Sequence, residues 1–175
     1  YIETALEKAY NEFKPKSMTA IAMDPKTGEI LGMASLPNFN PAKYWEADQE
    51  SFRNQAISSI YEPGSTFKLV TLAGTVEEGL FNPDETYKSG QIRIYDRTLK
   101  DHNVYGWGTI TYLEGLKRSS NVAFVKLGYE MLKPERLKQY IEKFGFGQKT
   151  GIDLPGEVAG WTRFSSPVDY ATATY

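Results

Sequence analysis

Two short apolar runs separated by a turn sequence constrain the fold of this chain more than any other feature. Residues 18–23 and 29–35 are rich in apolar side chains, and the segment 24–28 (Asp-Pro-Lys-Thr-Gly) places proline and glycine where a tight turn needs them. The pattern predicts a β-hairpin. Because both faces of each strand carry apolar residues, we expect other elements to cover the sheet on both sides. A hairpin alone cannot supply that burial, so the sequence favours a layered α+β fold.

Helical periodicity on either side of the hairpin supports that fold class. Residues 2–13 carry apolar side chains at helical spacing and are followed by Pro15, which predicts an amphipathic helix. A second helix is expected from Ser65 to about Gly79. Its apolar residues occupy more than one face, which predicts burial in the middle of a domain, although Lys68 lies in its first turn.

The rest of the chain predicts short elements joined by loops. Residues 36–64 are rich in turn formers and aromatic residues and predict a long, ordered connection. Thr111 is expected to cap a helix through a capping box with Glu114. Beyond residue 144 the sequence predicts a loop. The other expected elements are strands at 91–95 and 98–101 and helices at 112–118, 122–132 and 134–144.

Composition excludes several classes of function. The chain has 20 Lys and Arg against 22 Asp and Glu, a formal net charge of −2, so it lacks the electrostatic signature of a nucleic-acid or anionic-lipid partner. It has no cysteine and a single histidine, His102, which argues against a thiolate metal site, a cysteine nucleophile and a Ser-His-Asp triad. No apolar stretch approaches the roughly 20 residues that span a bilayer. We expect neither a nucleic-acid partner nor a cofactor.

Ser65 and Lys68 are the first candidates for chemistry. Three positions apart at the beginning of a helix, their side chains lie on one face, with Cβ atoms about 5–6 Å apart. If burial lowers the pKa of the lysine, its neutral amine can take the serine proton and activate the hydroxyl as a nucleophile. The unpaired N–H groups of the helix start would favour the resulting oxyanion. Alone, however, Ser-x-x-Lys is a weak pattern that also suits a helix cap and a solvated lysine.

The surrounding residues strengthen the candidate. Residues 61–68 (Tyr-Glu-Pro-Gly-Ser-Thr-Phe-Lys) resemble the active-site serine motif of penicillin-binding proteins, and residues 119–121 (Ser-Ser-Asn) resemble their second motif, Ser-x-Asn. Segments 37–41, 53–57 and 151–157 are similar to stretches of the class B, monofunctional transpeptidases. This resemblance covers nearly the whole chain, and it implies the penicillin-binding protein and serine β-lactamase-like fold, an antiparallel sheet covered by helices.

The resemblance also implies a role for each matching residue. Ser65 would be the nucleophile, acylated by a peptidoglycan stem peptide ending in D-Ala-D-Ala, and Lys68 its base. Ser119 would pass a proton toward the leaving amine, and Asn121 would hydrogen-bond the bound peptide and help hold Lys68. The expected protein is a β-lactam-inhibited D,D-transpeptidase outside the bacterial cytoplasmic membrane, with a membrane anchor before Tyr1 and cell-wall synthesis proteins as partners.

The family has a third motif, Lys-Thr-Gly, which residues 149–151 spell. Turn-forming sequence surrounds them and no β-branched run precedes them, so we interpret this stretch as a structural loop. On that interpretation, residues 1–175 are a partial transpeptidase domain that carries the first two motifs. The third motif and three of the family's five strands would then follow Tyr175.

Two other functions are compatible with parts of the sequence. Ser-Thr-Phe-Lys at 65–68 also resembles the class D β-lactamases, but Ser-Ser-Asn at 119–121 departs from their second motif. A β-lactam sensor that acylates without turnover fits both motifs. Among the remaining candidates, His102 is interpreted as a solvated loop residue. Four aromatic residues are expected to fill gaps between loops and core rather than to line a cleft: Tyr44, Trp45, Trp107 and Trp161.

Overall fold

The computed structural model describes residues 1–175, which form two compact units. The first unit comprises residues 1–61 and 149–159, and the second comprises residues 62–148 and 160–175. None of the helices has both the length and the apolar composition of a membrane-spanning segment.

The first unit is built on the predicted helix and hairpin. Helix α1 (Ile2–Phe13) precedes strands β1 (Met18–Met23) and β2 (Ile30–Leu36), which pair antiparallel from Met18 opposite Leu36 to Met23 opposite Ile30. The Asp24 carboxylate closes the turn by accepting hydrogen bonds from the N–H groups of Lys26 and Thr27. The hairpin prediction is confirmed.

Helix α1 covers one face of the hairpin. It approaches β2 so closely that a methyl group at Gly32 would lie 2.7 Å from the Ile2 Cδ1 atom. Ile21 and Met23 of β1 remain about half exposed, at 47% and 53%. The expected cover of both faces is therefore incomplete in the first unit.

The long connection after β2 is ordered, as expected, but mostly in short helical turns. Two 3₁₀ helices (Pro41–Glu46 and Gln49–Phe52) precede the single-turn helix α2 (Gln55–Ser58). The segment 149–159 returns to this region, where the Val158 N–H donates to the Ile57 carbonyl at 2.9 Å.

The second unit is mainly helical. A 3₁₀ turn (Gly64–Phe67) leads directly into α3 (Lys68–Glu77), and a π-helical segment (Lys126–Leu132) continues α5. The other helices are α4 (Tyr112–Lys117), α5 (Asn121–Val125), α6 (Pro134–Lys143) and α7 (Pro167–Thr172). Four short strands form two antiparallel pairs, β3 (Thr86–Lys88) with β6 (Thr109–Thr111) and β4 (Gln91–Ile94) with β5 (Arg97–Lys100).

The core of the second unit surrounds α5, whose residues Val122–Val125 are almost completely buried. Phe124 and Leu127 pack with the stacked rings of Tyr87 and Tyr112. A second buried cluster joins α3, α6 and the π-helical segment through Val70, Leu132, Leu137, Tyr140 and Ile141.

Helix α3 packs on one side only. Val70, Thr71 and Gly74 are buried, whereas Leu69 and Val76 are 67% and 55% exposed. The prediction that this helix is buried all round is wrong for the second unit, because α5, α6 and the π-helical segment cover a single face of it.

Strands β3 and β6 and helix α7 were not predicted from the sequence, and the loop expected beyond residue 144 is wrong for the residues of α7. Strands β3 and β6 have three residues each, too few for an alternating pattern to appear. Helix α7 follows a capping box between Ser166 and Asp169 with proline at its first position, a signal that the sequence does contain. The capping box expected at Thr111 is half formed, since its hydroxyl accepts from the Glu114 N–H while the Glu114 carboxylate binds Arg118.

Candidate active site

Ser65 and Lys68 lie where the 3₁₀ turn passes into α3. The Lys68 amine donates to the Ser65 hydroxyl at 3.1 Å, which the three-residue separation allows. Ser65 is exposed, whereas Lys68 is only 4% exposed. The potential nucleophile is therefore accessible and its neighbouring amine is not.

The second motif occupies the break between α4 and α5. Ser119 adopts a left-handed conformation (φ 54°), and Ser120 caps α5 by accepting a hydrogen bond from the Ala123 N–H at 3.1 Å. Asn121 is the first residue of α5, and its amide group donates to the Lys100 carbonyl at 2.9 Å. That bond orients the amide so that its oxygen is free to accept from another donor.

The Lys68 amine connects the two motifs. Besides the Ser65 hydroxyl, three acceptors lie within hydrogen-bond distance of it: the Ser119 carbonyl at 2.7 Å, the Ser119 hydroxyl at 2.9 Å and the Asn121 Oδ1 atom at 2.8 Å. A protonated amine has three hydrogens, so it donates to at most three of these four acceptors at once. The structure thus brings all four predicted site residues into one hydrogen-bond network around a single amine.

Burial lowers the pKa of Lys68 from 10.5 to about 8, against the opposing effect of the Asp101 charge. A shift of this size increases the neutral fraction at pH 7 roughly 300-fold, to about a tenth of the molecules. A neutral amine within hydrogen-bond distance of a hydroxyl can accept its proton, so this arrangement suits nucleophilic catalysis by Ser65.

Asp101 and Ser120 belong to the site but were not predicted as parts of it. Asp101 is 2% exposed, and its Oδ1 atom accepts from the Ser120 hydroxyl at 2.8 Å and from the Val122 N–H at 3.0 Å. Its Oδ2 atom accepts from the Gly90 N–H at 2.8 Å. An aspartate next to a strand usually indicates a turn, so the sequence offers little that would have identified a buried carboxylate here.

Residues 149–151 lie in the first unit, outside any helix or strand. The Thr150 N–H and hydroxyl both donate to Glu157 Oε1, at 2.6 and 2.5 Å, and the Gly151 N–H donates to Oε2 at 3.2 Å. The hydrogen bond from the Thr150 hydroxyl holds the pKa of Glu157 below its usual range. The Lys-Thr-Gly sequence thus binds a carboxylate of its own loop.

The other polar and aromatic candidates have different surroundings. His102 packs edge-on against Trp107, with ring centroids 5.2 Å apart, and the Arg118 guanidinium lies 5.3 Å from the Trp107 ring centroid. Tyr44, Trp45 and Trp161 are exposed (59%, 67% and 75%), so the expectation that they fill gaps in the core is wrong for these three residues. Aromatic character predicts burial only where neighbouring elements provide a pocket.

Comparison with known proteins identifies the family of this chain. A family model described as "Penicillin binding protein transpeptidase domain" matches residues 18–175. The chain is 44% identical to Stage V sporulation protein D of Bacillus subtilis (strain 168), over 99% of this chain and 28% of that protein. It is 33% identical to the peptidoglycan D,D-transpeptidase FtsI of Escherichia coli (strain K12), over 84% of this chain and 24% of that protein.

A solved structure shares the fold. The crystal structure of a peptidoglycan glycosyltransferase from Burkholderia ambifaria superposes with a TM-score of 0.84 at 25% identity, covering 99% of this chain and 51% of that one. The α+β, penicillin-binding protein-like fold class is confirmed. The chain spans about a quarter of the length of the two curated relatives and about half of the solved chain. The match over residues 18–175 confirms the resemblance drawn from the sequence: the chain belongs to the penicillin-binding protein transpeptidase family.

Proposed function

We propose that the protein containing this chain is a peptidoglycan D,D-transpeptidase that cross-links stem peptides through a serine acyl-enzyme. The observation that carries the proposal is the buried Lys68 amine, of lowered pKa, 3.1 Å from the exposed hydroxyl of Ser65. Membership of the transpeptidase family supports a peptidoglycan substrate, and the stem peptide that we propose ends in D-Ala-D-Ala. β-Lactam antibiotics would acylate the same serine.

In the first half-reaction, Ser65 Oγ attacks the carbonyl carbon of the penultimate D-alanine, and Lys68 takes the hydroxyl proton. Backbone N–H groups at the beginning of the helix would stabilise the oxyanion. The C–N bond then breaks, a proton returns to the leaving amine by way of Ser119, and free D-alanine departs. Asn121, which binds Lys68 through its oxygen, would also hold the peptide.

In the second half-reaction, the amine of another stem peptide attacks the acyl-enzyme. Lys68, neutral again, accepts the proton of that amine as the new amide bond forms. The ester C–O bond to Ser65 then breaks, and Lys68 passes this proton to Ser65 Oγ, which restores the hydroxyl and the neutral amine. The substrate is part of the cell wall, so we place the working protein outside the cytoplasmic membrane, together with other proteins of cell-wall synthesis. Its membrane anchor and its third motif would lie outside residues 1–175.

The test is acylation of the full-length protein by benzylpenicillin, followed by intact-mass analysis. We expect one adduct, on the peptide that contains Ser65, and none in Ser65→Ala, while the exposed-site control Ser17→Ala should be acylated normally. Release of D-alanine from a D-Ala-D-Ala stem peptide should follow the same pattern. An adduct that persists in Ser65→Ala would refute the assignment of the nucleophile.

The rate at which the adduct is lost separates the remaining candidates. A transpeptidase releases D-alanine from the stem peptide and loses the penicilloyl group slowly. A β-lactamase would hydrolyse the penicilloyl group rapidly, and a β-lactam sensor would form the adduct without turning over the stem peptide. Either result would replace the proposed function with that alternative.

A further inference from the structure

Asp101 is a buried carboxylate without a cationic partner in direct contact. It forms no salt bridge, and its three hydrogen bonds come from the Ser120 hydroxyl and from the N–H groups of Val122 and Gly90. An ionised carboxylate is costly to bury unless it is fully hydrogen-bonded. Such charge-assisted bonds are stronger than neutral ones, which suits a group that holds other groups in place.

Two of these donors belong to the second motif or lie beside it. Ser120 is the middle residue of the motif, and Val122 follows Asn121 directly. Ser119, which directly precedes Ser120, adopts a left-handed conformation (φ 54°), which is unfavourable for a residue with a Cβ atom. The two hydrogen bonds to Asp101 Oδ1 hold the Ser120 side chain and the Val122 backbone, one on each side of Asn121, and so restrict the segment that follows Ser119.

The third donor, the Gly90 N–H, connects Asp101 to the segment that precedes β4. The Gly90 N–H donates to Asp101 Oδ2, and the Asp101 N–H donates back to the Gly90 carbonyl at 2.9 Å. This reciprocal pair fixes the end of β5, where the Lys100 carbonyl accepts from the Asn121 amide. Asp101 therefore determines the position of both the second motif and the backbone group that orients Asn121.

We propose that Asp101 is a positioning residue, which holds the side chains of Ser119 and Asn121 at the Lys68 amine through the Ser120 hydroxyl and the Val122 and Gly90 N–H groups. Its effect on catalysis rests on the function proposed above. Its effect on the geometry around Lys68 does not depend on that function.

The charge of Asp101 gives a second readout. It raises the pKa of Lys68 and so opposes the effect of burial. Lys100 and His102 flank Asp101 in the sequence. Two phenols also lie near this pair: Tyr87, whose pKa burial raises, and Tyr175, whose ring centroid is 5.7 Å from the amine and whose pKa burial also raises. Both phenols are neutral near pH 8. Removing the Asp101 charge should therefore lower the pKa of Lys68, a change that a merely structural role would not produce.

The experiment compares Asp101→Asn with Asp96→Asn, the same substitution at an exposed position of the same β4–β5 hairpin. Three measurements are made on the full-length variants: a crystal structure, an NMR titration of labelled lysine side chains, and the rate of acylation by benzylpenicillin. In Asp101→Asn we expect the distance from Lys68 Nζ to Ser119 Oγ or to Asn121 Oδ1 to increase beyond about 3.5 Å, so that the hydrogen bond is lost. We also expect a lower Lys68 pKa. That change alone would increase the neutral fraction of the amine, so the at least tenfold slower acylation that we expect would come from the lost contacts with Ser119 and Asn121. Asp96→Asn should match the wild type in all three measurements.

Ser120→Ala provides the test if Asp101→Asn does not fold. It removes one of the three donors and should lengthen the same two distances, with a smaller loss of acylation. Unchanged distances around Lys68 in the variant that folds would overturn the proposal, as would an unchanged Lys68 pKa in a folded Asp101→Asn. Failure of the wild type to react with benzylpenicillin would contradict the proposed function instead, because the structures and the lysine titration need no acylation.

Discussion

The amine of Lys68 lies 2.9 Å from the hydroxyl of Ser119, a residue 51 positions further along the chain. Lys68 is in the first turn of α3, and Ser119 precedes α5 in the break after α4. One buried amine therefore links two separate helical segments, and hydrogen-bond acceptors from both segments surround it. Its protonation state and its exact set of neighbours are the quantities that the following predictions address.

Lys68→Arg should slow acylation by benzylpenicillin by roughly 10² or more. Arginine keeps the positive charge, but it does not lose its proton in the accessible pH range and so cannot act as a base. Lys117→Arg, at an exposed lysine near the end of α4, is the matched control and should react normally. The measurement is the second-order acylation rate of the full-length proteins. A near-normal rate in Lys68→Arg would mean that positive charge alone is sufficient.

The acylation rate should rise with pH up to about 8 and then level off, because the pKa of Lys68 is lowered to about 8 and only the neutral amine accepts a proton. Well below that value, the rate should fall about tenfold for each pH unit. Asn121→Asp places a carboxylate beside the amine, which should raise the pKa of Lys68 and move the acid limb to higher pH. An acid limb at the same pH in both proteins would exclude Lys68 as the titrating group.

Ser119→Ala and Asn121→Ala should each slow acylation clearly, by about tenfold or more. Each removes a group that contacts the Lys68 amine, at 2.9 and 2.8 Å respectively. His102→Ala is the comparison in the neighbouring loop, and it should change the rate less than twofold because His102 contacts Trp107 rather than the amine network. A large loss in His102→Ala would give the histidine a role that we do not assign to it.

Lys149→Ala should leave acylation unchanged within about twofold, since we interpret residues 149–151 as a structural loop closed by Glu157. The paired variant Glu157→Gln should weaken the loop, measured as faster hydrogen exchange at Thr150 and Gly151, with acylation again retained. Loss of acylation in Lys149→Ala comparable with that in Lys68→Arg would make 149–151 the working third motif. It would also remove the reason to expect a third motif after Tyr175.

Gly74→Ala should destabilise the protein, although alanine has a higher helix propensity than glycine. A methyl group at this position of α3 would lie 2.9 Å from Leu132 Cδ2 and 3.0 Å from the Tyr140 ring. Overpacking of this kind costs about 1–3 kcal/mol, more than the roughly 1 kcal/mol that helix propensity contributes. Urea unfolding of the wild type and the variant measures the difference. A gain in the free energy of unfolding would show that the rings and side chains around Gly74 can move aside.

Local sequence patterns were sufficient for the elements that depend on local interactions. The apolar runs around the Asp24 turn, the periodicity of residues 2–13 and the proline at the first position of α6 all predicted elements that the structure contains. These signals work because hydrogen bonding in helices and turns, and the spacing of apolar residues, are set by neighbours a few positions apart. The two short motifs likewise identified the family and the four residues that meet at the site.

The tertiary structure decided what surrounds those residues. The sequence could not show that α3 is buried on one face only. Nor could it show that the Lys68 side chain is buried while Ser65 stays exposed to solvent, or that Asp101 is buried beside Ser120. Burial and pKa depend on contacts between residues that are distant in the chain, such as the 19 positions between Asp101 and Ser120 and the 53 between Lys68 and Asn121. Spacing in the sequence thus located the reactive groups, whereas the packing of α3 and α5 set the electrostatics on which their chemistry depends.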